Sequence, residues 1–374
     1  MKIAILGFGT IGQGIYHILN ERRSTLEKQS GRKIVIDKIL VRDLEKERGQ
    51  FSVSELPLTD SFLEILDDDS IDLVFEVMCD GVKGAEFIRQ LLARGKHVIS
   101  ANKAAIASDF FELQKIARKS GVHLRFEAAA AGGIPLLDPL SKIRHLNIIS
   151  YLGGIINSST NYILSELSKE KTRDEVLAEA KSLGVLEADP TNDVEGYDAR
   201  RKIAILAAIT LQQEIRQMNI PTIGISSLSE EDFTWAKANK RIIKLVAALT
   251  KDETSYQLSV LPTALPESVS LANVGGIMNQ VELKGDTIGL LSFSGTGGGM
   301  LSTAHGLWVD FLDVTSSEPV YHIERNSRKE DRSFYREAEF YIRELGQNAG
   351  KVSKMSVADA LDYRDQGFTV IERI

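Results

Sequence analysis

The sequence predicts an α/β fold in which a doubly wound parallel sheet is followed by a second α+β domain. Three observations support this prediction. Short apolar runs alternate with helical patterns through the first third of the 374-residue chain, which is typical of βαβ units. The first apolar run ends in a glycine motif that leads from a strand into a helix. Further along the chain, helical patterns give way to several short strand patterns in succession.

The first domain is expected to contain five strands with helices between them. The predicted strands are Lys2–Leu6, Lys33–Val41, Asp72–Met78, Lys96–Ser100 and Val122–Glu127, and the helices after the third and fourth are Val82–Arg94 and Ala107–Ser120. Ligands of such sheets bind beyond the carboxyl ends of the strands. Three groups of residues fall at such ends, namely Gly7–Gly12, Asn102 with Lys103, and Glu127.

The motif Gly-Phe-Gly-Thr-Ile-Gly at residues 7–12 directly follows the first strand. Its first glycine allows a tight turn, its second allows close approach of a pyrophosphate, and its third allows close packing of helix and strand. The free N–H groups of the following helix face the phosphates. The motif therefore predicts a Rossmann-type dinucleotide site formed by Gly7, Gly9, Thr10, Ile11 and Gly12. The alternative is a purely structural corner between strand and helix.

The residues at the end of the second strand indicate which dinucleotide, NAD(H) or NADP(H), is bound. An acid at this position binds a ribose 2′-hydroxyl, whereas an arginine accommodates a 2′-phosphate. Here Arg42 comes first, with Lys46 and Arg48 just beyond, which favours NADP(H) over NAD(H). Because Asp43 is an acid at the same strand end, NAD(H) remains an alternative cofactor. The same residues also fit the solvated start of a helix.

The second domain is expected to open with a strand, a hydroxyl-rich turn and a helix whose N-cap is Ser158 or Ser159. Its other predicted elements are the capped helix Thr172–Leu183, a long helix Glu230–Leu249, the short strands Leu258–Leu261, Gly276–Gln280, Val281–Lys284 and Thr287–Phe293, and the helix Ser302–Leu312. The glycine-rich turn before that last helix is either a second approach to the cofactor or a mobile connection.

The predicted domains are residues 1–135 for dinucleotide binding, 136–312 for catalysis and dimerisation, and 313–374 as a tail. The tail is expected to return to the body of the protein or to contact a partner subunit. Within it, His322–Arg332 is charged and predicts a linker, followed by a helix Ser356–Tyr363 and a strand Phe368–Ile374.

An acidic stretch from Gly184 to Lys202 precedes an apolar helix, Ile203–Ile209. Asp198 and Lys202 are four residues apart, so they share one face at the polar end of that helix. Burying such groups is costly unless they are paired or used. One interpretation is an ion pair that caps a core helix. The other, favoured by the number of acids that converge here, is a site for a small charged ligand.

Composition limits the classes of partner. The formal charge is −7 and no basic patch dominates, which argues against nucleic acid as a ligand. Cys79 is the only cysteine, as expected in a reducing compartment. No apolar run approaches the length that spans a bilayer, and the strand that begins at Lys2 leaves no room for a signal peptide. We expect a cytoplasmic protein that acts on small molecules and binds neither membrane nor nucleic acid.

With these motifs in this order, the chain resembles the homoserine dehydrogenase family over about residues 1–312. The segments that carry the resemblance are Gly7–Gly12, Ser100–Lys103, Glu127–Pro135, Gly154–Leu164 and Glu187–Lys202. The resemblance implies a Rossmann domain, a catalytic domain that forms a homodimer, and a nicotinamide cofactor. It implies interconversion of L-aspartate 4-semialdehyde and L-homoserine on the route to threonine and methionine.

The resemblance also implies roles for single residues. Lys202 and Lys103 match the family's two catalytic lysines. Residues matched to substrate binding are Glu187, Asp198, Asp193 and, at a threonine of the family's Asn-Gly-Thr-Thr-Asn turn, Ser159. Residues matched to cofactor binding are Arg42, Ser100, Asn102 and Lys103, besides the glycine motif. Glu127, with carbonyl groups around Ala130 and Gly132, matches a structural sodium site.

Three departures from the family pattern bear on substrate fit. Ser158 replaces a glycine of the substrate turn, Val185 replaces an aromatic residue, and the turn Gly295–Thr303 lacks two prolines. The tail also lacks the pattern of the family's amino-acid-sensing domain, so we expect no threonine feedback through such a domain. Two alternatives therefore stay open: a related oxidoreductase for another small amino or hydroxy acid, and a nucleotide-binding regulatory protein without turnover.

Overall fold

The structure is a computed structural model that describes residues 1–169, 171–187, 189–316 and 328–374. Strands and helices alternate in the first part of the chain. The strands there are β1 (Lys2–Leu6), β2 (Val35–Leu40), β3 (Leu58–Thr59), β4 (Ile71–Glu76), β5 (His97–Ser100) and β6 (Leu124–Arg125). The helices are α1 (Thr10–Ser30), α2 (Leu63–Leu66), α3 (Gly81–Ala93), α4 (Lys103–Lys119), α5 (Glu127–Ala131) and α6 (Leu137–Ile143).

Strands β1 to β6 form a parallel sheet in the order β3-β2-β1-β4-β5-β6. The strand order reverses on either side of β1, and ligands bind at such a switch point. The predicted doubly wound α/β domain is confirmed. The strand predicted to end at Glu127 is wrong at its end, because β6 stops at Arg125 and Glu127 instead begins helix α5.

The rest of the chain forms an α+β arrangement, as predicted. Its next elements are β7 (Ile149–Ile155), α7 (Ser158–Leu167), α8 (Arg173–Ser182), α9 (Thr191–Val194), α10 (Tyr197–Leu211), α11 (Glu230–Ala238), β8 (Arg241–Lys251), β9 (Ser255–Pro266), β10 (Met278–Gly285), β11 (Gly289–Thr296) and α12 (Met300–Thr315). The tail contributes β12 (Glu330–Asp331), β13 (Glu337–Glu344), β14 (Lys351–Ser356), α13 (Val357–Asp365) and β15 (Phe368–Arg373).

Strands β7 to β15 form a second, mixed sheet with the path β11-β10-β7-β8-β9-β15-β13-β14, and β12 pairs with β9. Most neighbours are antiparallel, whereas β15 runs parallel to β9. The predicted long helix Glu230–Leu249 is wrong. Helix α11 ends at Ala238, Lys240 takes a positive φ of 55°, and the chain then enters strand β8, which pairs with β9 along its length.

The chain divides into two compact units. The first contains Met1–Ser141, residues 212–214 and helix α12. The second contains the segments Lys142–Leu211 and Ile215–Gly297 and the described tail. Helix α12, in the range predicted for the catalytic domain, packs along α1, where the Trp308 indole N–H donates to the Ile15 carbonyl at 3.1 Å. The predicted domain boundaries stay a prediction.

The tail is part of the second unit. Phe340 and Val370 pack with Leu261 of β9 in one apolar cluster. The Arg343 guanidinium is buried and donates to both carboxylate oxygens of Asp232 in helix α11, each at 2.7 Å. The predicted linker His322–Arg332 lies mainly outside the described residues, and its described end includes β12. No helix in the described ranges is long and apolar enough to cross a membrane.

Candidate active site

The glycine turn after β1 has the geometry that a dinucleotide requires. Gly7 has a φ of 96°, and a Cβ on Gly12 would lie 2.2 Å from the Gly7 carbonyl oxygen, so both positions need glycine. A Cβ on Gly9 would meet no protein atom within 4 Å. Packing within the protein therefore does not explain this glycine, whereas a pyrophosphate lying against the backbone does. Helix α1 begins at Thr10 without a side-chain cap, so its first N–H groups face this cradle.

The end of β2 separates the roles of Arg42 and Asp43. The Asp43 carboxylate accepts hydrogen bonds from the backbone N–H groups of Glu45 and Lys46, at 2.9 and 3.1 Å, and thereby holds a local turn. Residues 43–48 do not form the helix start that was the alternative interpretation. The Arg42 guanidinium is exposed and lies 3.9 Å from the Cys79 sulfur. At this strand end the arginine therefore remains accessible to a ligand, while the acid is used by the backbone.

A buried acid, Glu76, organises the adjoining ends of β4 and β5. Its carboxylate accepts hydrogen bonds from the Ser100 hydroxyl at 2.6 Å, the Asn102 amide at 3.1 Å and the Met78 N–H at 3.1 Å. Desolvation raises the pKa of Glu76 to about 7. Asn102 also caps helix α4, accepting from the Ala105 N–H at 3.1 Å, so Lys103 is the first residue of that helix.

Glu76 was not predicted as a functional residue, although an acid inside an apolar strand is a signal for one. The structure brings Ser100 and Asn102 together, as expected of neighbours in one motif, but it shows their side chains bound to Glu76. Their predicted contact with a cofactor stays a prediction.

The Glu127 carboxylate is held by backbone N–H groups. The carboxylate accepts backbone N–H groups of Leu136, Leu137 and Asp138 at 2.6, 2.7 and 3.0 Å, which caps the start of helix α6. The Glu127 N–H donates to Asp310, whose pKa is raised well above its ordinary value by burial. Across the described ranges, no group of three or more His, Cys, Asp or Glu side chains could hold a metal ion.

In the second unit, Asn157 connects several residues of the predicted substrate site. Its side chain caps helix α7 by accepting the Thr160 N–H at 2.8 Å, so the prediction of a serine N-cap is wrong. An asparagine amide can cap the helix and also donate, and here Nδ2 donates to Asp193 at 2.7 Å and to Asp198 at 3.0 Å. The structure thus brings two predicted substrate-binding acids together.

Lys202 completes this group. Its Nζ lies 2.8 Å from the Asp198 Oδ2 and donates to the Ile156 carbonyl at 2.7 Å. The side chains of Lys202 and Asp198 are only 8% and 7% exposed, so each requires the other to offset the cost of burial. Lys202 lies in the second turn of α10, because the helix begins at Tyr197. We refer to Asn157, Asp193, Asp198 and Lys202 as the Lys202 cluster.

Ser159 and Glu187, which are also predicted to bind substrate, are close to the Lys202 cluster in the sequence. The Ser159 hydroxyl donates to the Val185 carbonyl at 2.8 Å, which ties helix α7 to the loop that leads to Glu187. Glu187 itself is exposed. The structure therefore gives Ser159 a structural bond, and leaves the predicted contacts of both residues with substrate as predictions.

The first unit thus has the glycine cradle of a dinucleotide-binding domain, and the second unit has a buried lysine paired with a carboxylate; both features are typical of a dehydrogenase with a nicotinamide dinucleotide cofactor. Comparison with known proteins supports this class and narrows it. Residues 7–127 match the profile of the NAD-binding domain of homoserine dehydrogenase, and residues 135–312 match that of homoserine dehydrogenase itself. The chain belongs to the homoserine dehydrogenase family, whose members are oxidoreductases.

Individual relatives support the same family membership. The homoserine dehydrogenase of Bacillus subtilis is 36% identical over 84% of this chain and 72% of its own length. The crystal structure of one from Thiobacillus denitrificans has a TM-score of 0.89 at 29% identity, covering all of this chain and 98% of that one. A mutant homoserine dehydrogenase from a hyperthermophilic archaeon, solved in complex with NADPH, has a TM-score of 0.71 at 25% identity, covering 85% and 98%.

Proposed function

We propose that this protein interconverts L-homoserine and L-aspartate 4-semialdehyde with NAD(P), and so serves threonine and methionine biosynthesis. The observation that carries the proposal is the Lys202 cluster, in which a buried lysine is paired with Asp198 and Asn157 links that carboxylate to Asp193. The family membership supports the substrate, since relatives across several bacteria are homoserine dehydrogenases. The test is formation of reduced cofactor by the wild-type chain with L-homoserine, using NAD and NADP separately.

Proton transfer at the substrate oxygen is the role of Lys202. The bound nicotinamide supplies or accepts the hydride at the substrate carbon. As the aldehyde is reduced, negative charge develops on its oxygen, and a positioned ammonium group stabilises that charge and donates the proton. Asp198 holds the Lys202 ammonium, at 2.8 Å, so that it need not reorient during the step. Lys103 is proposed to supply the second positive charge near the nicotinamide.

The carboxylates of the second unit are proposed to bind the substrate ammonium. Asp193 and Asp198 converge on one amide nitrogen of Asn157, and Glu187 is proposed to join them. Such a group of acids suits an amino acid and does not suit a simple hydroxy acid, which has no ammonium. An assay with homoserine and a panel of analogues tests this, because a higher kcat/KM on an analogue without an amino group would contradict it.

We propose that NADP(H) is preferred over NAD(H). The exposed Arg42 at the end of β2 can pair with a 2′-phosphate, whereas the Asp43 carboxylate already accepts two backbone hydrogen bonds. The archaeal relative solved with NADPH is consistent with this preference.

A structural sodium ion near Glu127, Ala130 and Gly132 is also proposed. The Glu127 carboxylate already accepts three N–H groups, two on Oε1 and one on Oε2. The main-chain carbonyl oxygens are therefore proposed as the main ligands, with Glu127 beside them. A rise in melting temperature on replacing choline chloride by sodium chloride at constant ionic strength would support the site, and identical melting temperatures would contradict it.

Finally, we propose that the protein is a homodimer that pairs through the edge of the second sheet. Strand β11 lies at one end of that sheet, and apolar side chains beside it are exposed. Leu146 and Ile148 are 79% and 67% exposed, and Leu290 is 63% exposed. The loop that carries Leu146 and Ile148 is joined to the turn before β11, because the Ile148 N–H donates to the Asp286 carboxylate at 2.7 Å. A second copy of this chain would cover such an edge and its apolar side chains.

A further inference from the structure

Glu76, the last residue of β4, joins the two loops that follow β4 and β5. Its Oε1 accepts the Met78 N–H and the Asn102 amide, both at 3.1 Å, and its Oε2 accepts the Ser100 hydroxyl at 2.6 Å. The Ser100 oxygen in turn accepts the Asn102 N–H at 3.0 Å. Because all three of these partners donate to the carboxylate, the arrangement matches the ionised acid, which only accepts hydrogen bonds.

The loop after β4 lies directly against the glycine cradle. A Cβ on Gly7 would lie 3.1 Å from the Val77 carbonyl oxygen and 3.4 Å from the Met78 nitrogen. The Val77 N–H also donates to the Leu6 carbonyl at 3.0 Å. Since Glu76 holds the Met78 N–H, a shift of the carboxylate would move the backbone that touches Gly7. Glu76 can therefore influence the cofactor without contacting it.

The loop after β5 is held by the same carboxylate through Asn102. The Asn102 amide also donates to the Asp80 carbonyl at 3.1 Å, and its Oδ1 accepts the Ala105 N–H at the start of helix α4. A Cβ on Gly84 of helix α3 would fall 2.4 Å from Asn102 Nδ2 and 3.1 Å from Glu76 Oε1. The close approach of α3 leaves the amide little freedom to turn away, so the starts of α3 and α4 both depend on Glu76.

Protonation of Glu76 would disturb this arrangement. A protonated carboxyl group has an O–H that requires an acceptor, whereas Met78, Asn102 and the fully buried Ser100 all donate to it. Burial favours the protonated form, and these three hydrogen bonds favour the ionised form. The balance raises the pKa of Glu76 to about 7, so both forms are populated near neutral pH.

We propose that Glu76 is a positioning residue for the nicotinamide dinucleotide, and that its ionised carboxylate sets the loops after β4 and β5 for cofactor binding. The protonated acid has one donor too many among its neighbours, so these loops lose their fixed position and the cofactor binds more weakly. By linkage, the bound cofactor favours the ionised acid to the same extent. This inference deepens the cofactor part of the proposed function and rests on it.

Other titratable groups surround Glu76 on the elements packed against β4. On the neighbouring strands, Lys2 and His97 lie at the opposite end of the sheet, paired with Ile71 and Leu73 of β4. At the carboxyl end, the titratable groups of the loop after β4 and of the first turns of α3 and α4 are Cys79, Asp80, Lys83 and Lys103. All of them are retained in a Glu76→Gln variant, so a difference in pH dependence between this variant and the wild type reports on Glu76.

The test is the Kd for NADP⁺, measured by calorimetry at pH 6 and pH 8 on the wild-type protein and on Glu76→Gln. With a pKa of about 7, roughly a tenth of Glu76 is ionised at pH 6 and roughly nine-tenths at pH 8. From pH 6 to pH 8 the wild-type Kd should therefore fall by about tenfold more than the Kd of the variant, which is uncharged at this position throughout. The 2′-phosphate of NADP⁺ also titrates near pH 6, but it does so with both proteins and cancels in the comparison.

Two further variants separate positioning from folding. Asp72→Asn changes the exposed acid at the opposite end of β4 and should keep the wild-type dependence on pH. Ser100→Ala removes the shortest hydrogen bond to the ionised carboxylate, which raises the pKa of Glu76 further. The midpoint of the pH dependence should then move up by about one pH unit or more, a result that does not require Glu76→Gln to fold.

Three results would overturn the inference: the same change of Kd with pH in the wild type and Glu76→Gln, an unchanged midpoint in Ser100→Ala, or no binding of NADP⁺ by the wild type. A purely structural role of Glu76 would give the first of these, because the glutamine variant would then bind more weakly by the same factor at both pH values. Failure of the proposed function looks different, because NADP⁺ would then bind with the expected pH dependence but L-homoserine would not be oxidised.

Discussion

The Ser100 hydroxyl donates to the Glu76 carboxylate at 2.6 Å, and both residues are fully buried. Through Asn102, the same carboxylate fixes the loop that begins helix α4 with Lys103. A side chain far from the glycine cradle in sequence therefore controls the backbone at the adjoining strand ends of the first unit.

Replacing Glu76 by glutamine should change how stability depends on pH. Burial raises the pKa of Glu76 from 4.5 to about 7, so folding favours the protonated acid. Its contribution to stability is full below pH 4.5 and is lost as pH rises through 7, a difference of about 3 kcal/mol. Relative to wild type, Glu76→Gln should gain that amount in free energy of unfolding between pH 4.5 and pH 8. Urea unfolding of both proteins measures it, and a pH-independent difference would rule out this role.

Replacing Arg42 by alanine should weaken NADP(H) selectively. Loss of a charge-assisted bond to a 2′-phosphate raises the KM for NADPH by about tenfold or more, while the KM for NADH stays within about twofold. Arg22→Ala, an exposed arginine on helix α1, serves as the matched control. Equal effects of Arg42→Ala on both cofactors would argue against a phosphate contact.

Breaking the buried pair of Arg343 and Asp232 should destabilise the second unit. Asp232→Ala leaves an uncompensated buried guanidinium, which costs about 3–5 kcal/mol. Lys354→Ala is the control, because its pair with Glu337 is 70% and 62% exposed and is worth less than about 1 kcal/mol. Urea unfolding followed by fluorescence of Trp235, which stacks on Tyr341 of β13, reports on this part of the chain. Similar losses of unfolding free energy in both variants would contradict the claim that the buried pair stabilises the second unit.

Placing a charge on the exposed sheet edge should separate the proposed dimer. We expect light scattering after size exclusion to give twice the mass of one chain for the wild-type protein and the mass of one chain for Leu290→Glu. Val82→Glu changes an equally apolar side chain, 85% exposed on helix α3, and should not alter the mass. A monomeric wild-type protein, or a Leu290→Glu variant with the wild-type mass, would refute the proposed interface.

Local patterns predicted the features that local physics determines. The glycine motif predicted the cradle after β1, and the spacing of Asp198 and Lys202 predicted their contact. Thr172 predicted the cap of helix α8, which the structure shows as a capping box with Glu175. Each depends on residues within a few positions of one another, so spacing alone contains the information.

Features set by distant parts of the chain were not predicted. Residues 241–249 carry the apolar pattern of a helix, yet pairing with β9 makes them strand β8, which no local signal reveals. Helix α12 belongs to the first unit because of its packing against α1, although it follows the second domain in sequence. The Ser158 hydroxyl donates to the buried Asn279 amide, 121 residues away in sequence, a contact that spacing does not reveal.

The central claim is that Lys202 transfers the proton at the substrate oxygen. It is tested most directly by the kcat for L-homoserine oxidation of Lys202→Ala against wild type, with cofactor Kd measured on both. We predict that kcat falls by about a hundredfold or more, as for loss of a general acid–base group, while the cofactor Kd is unchanged. A variant kcat within about threefold of wild type would contradict the proposed role.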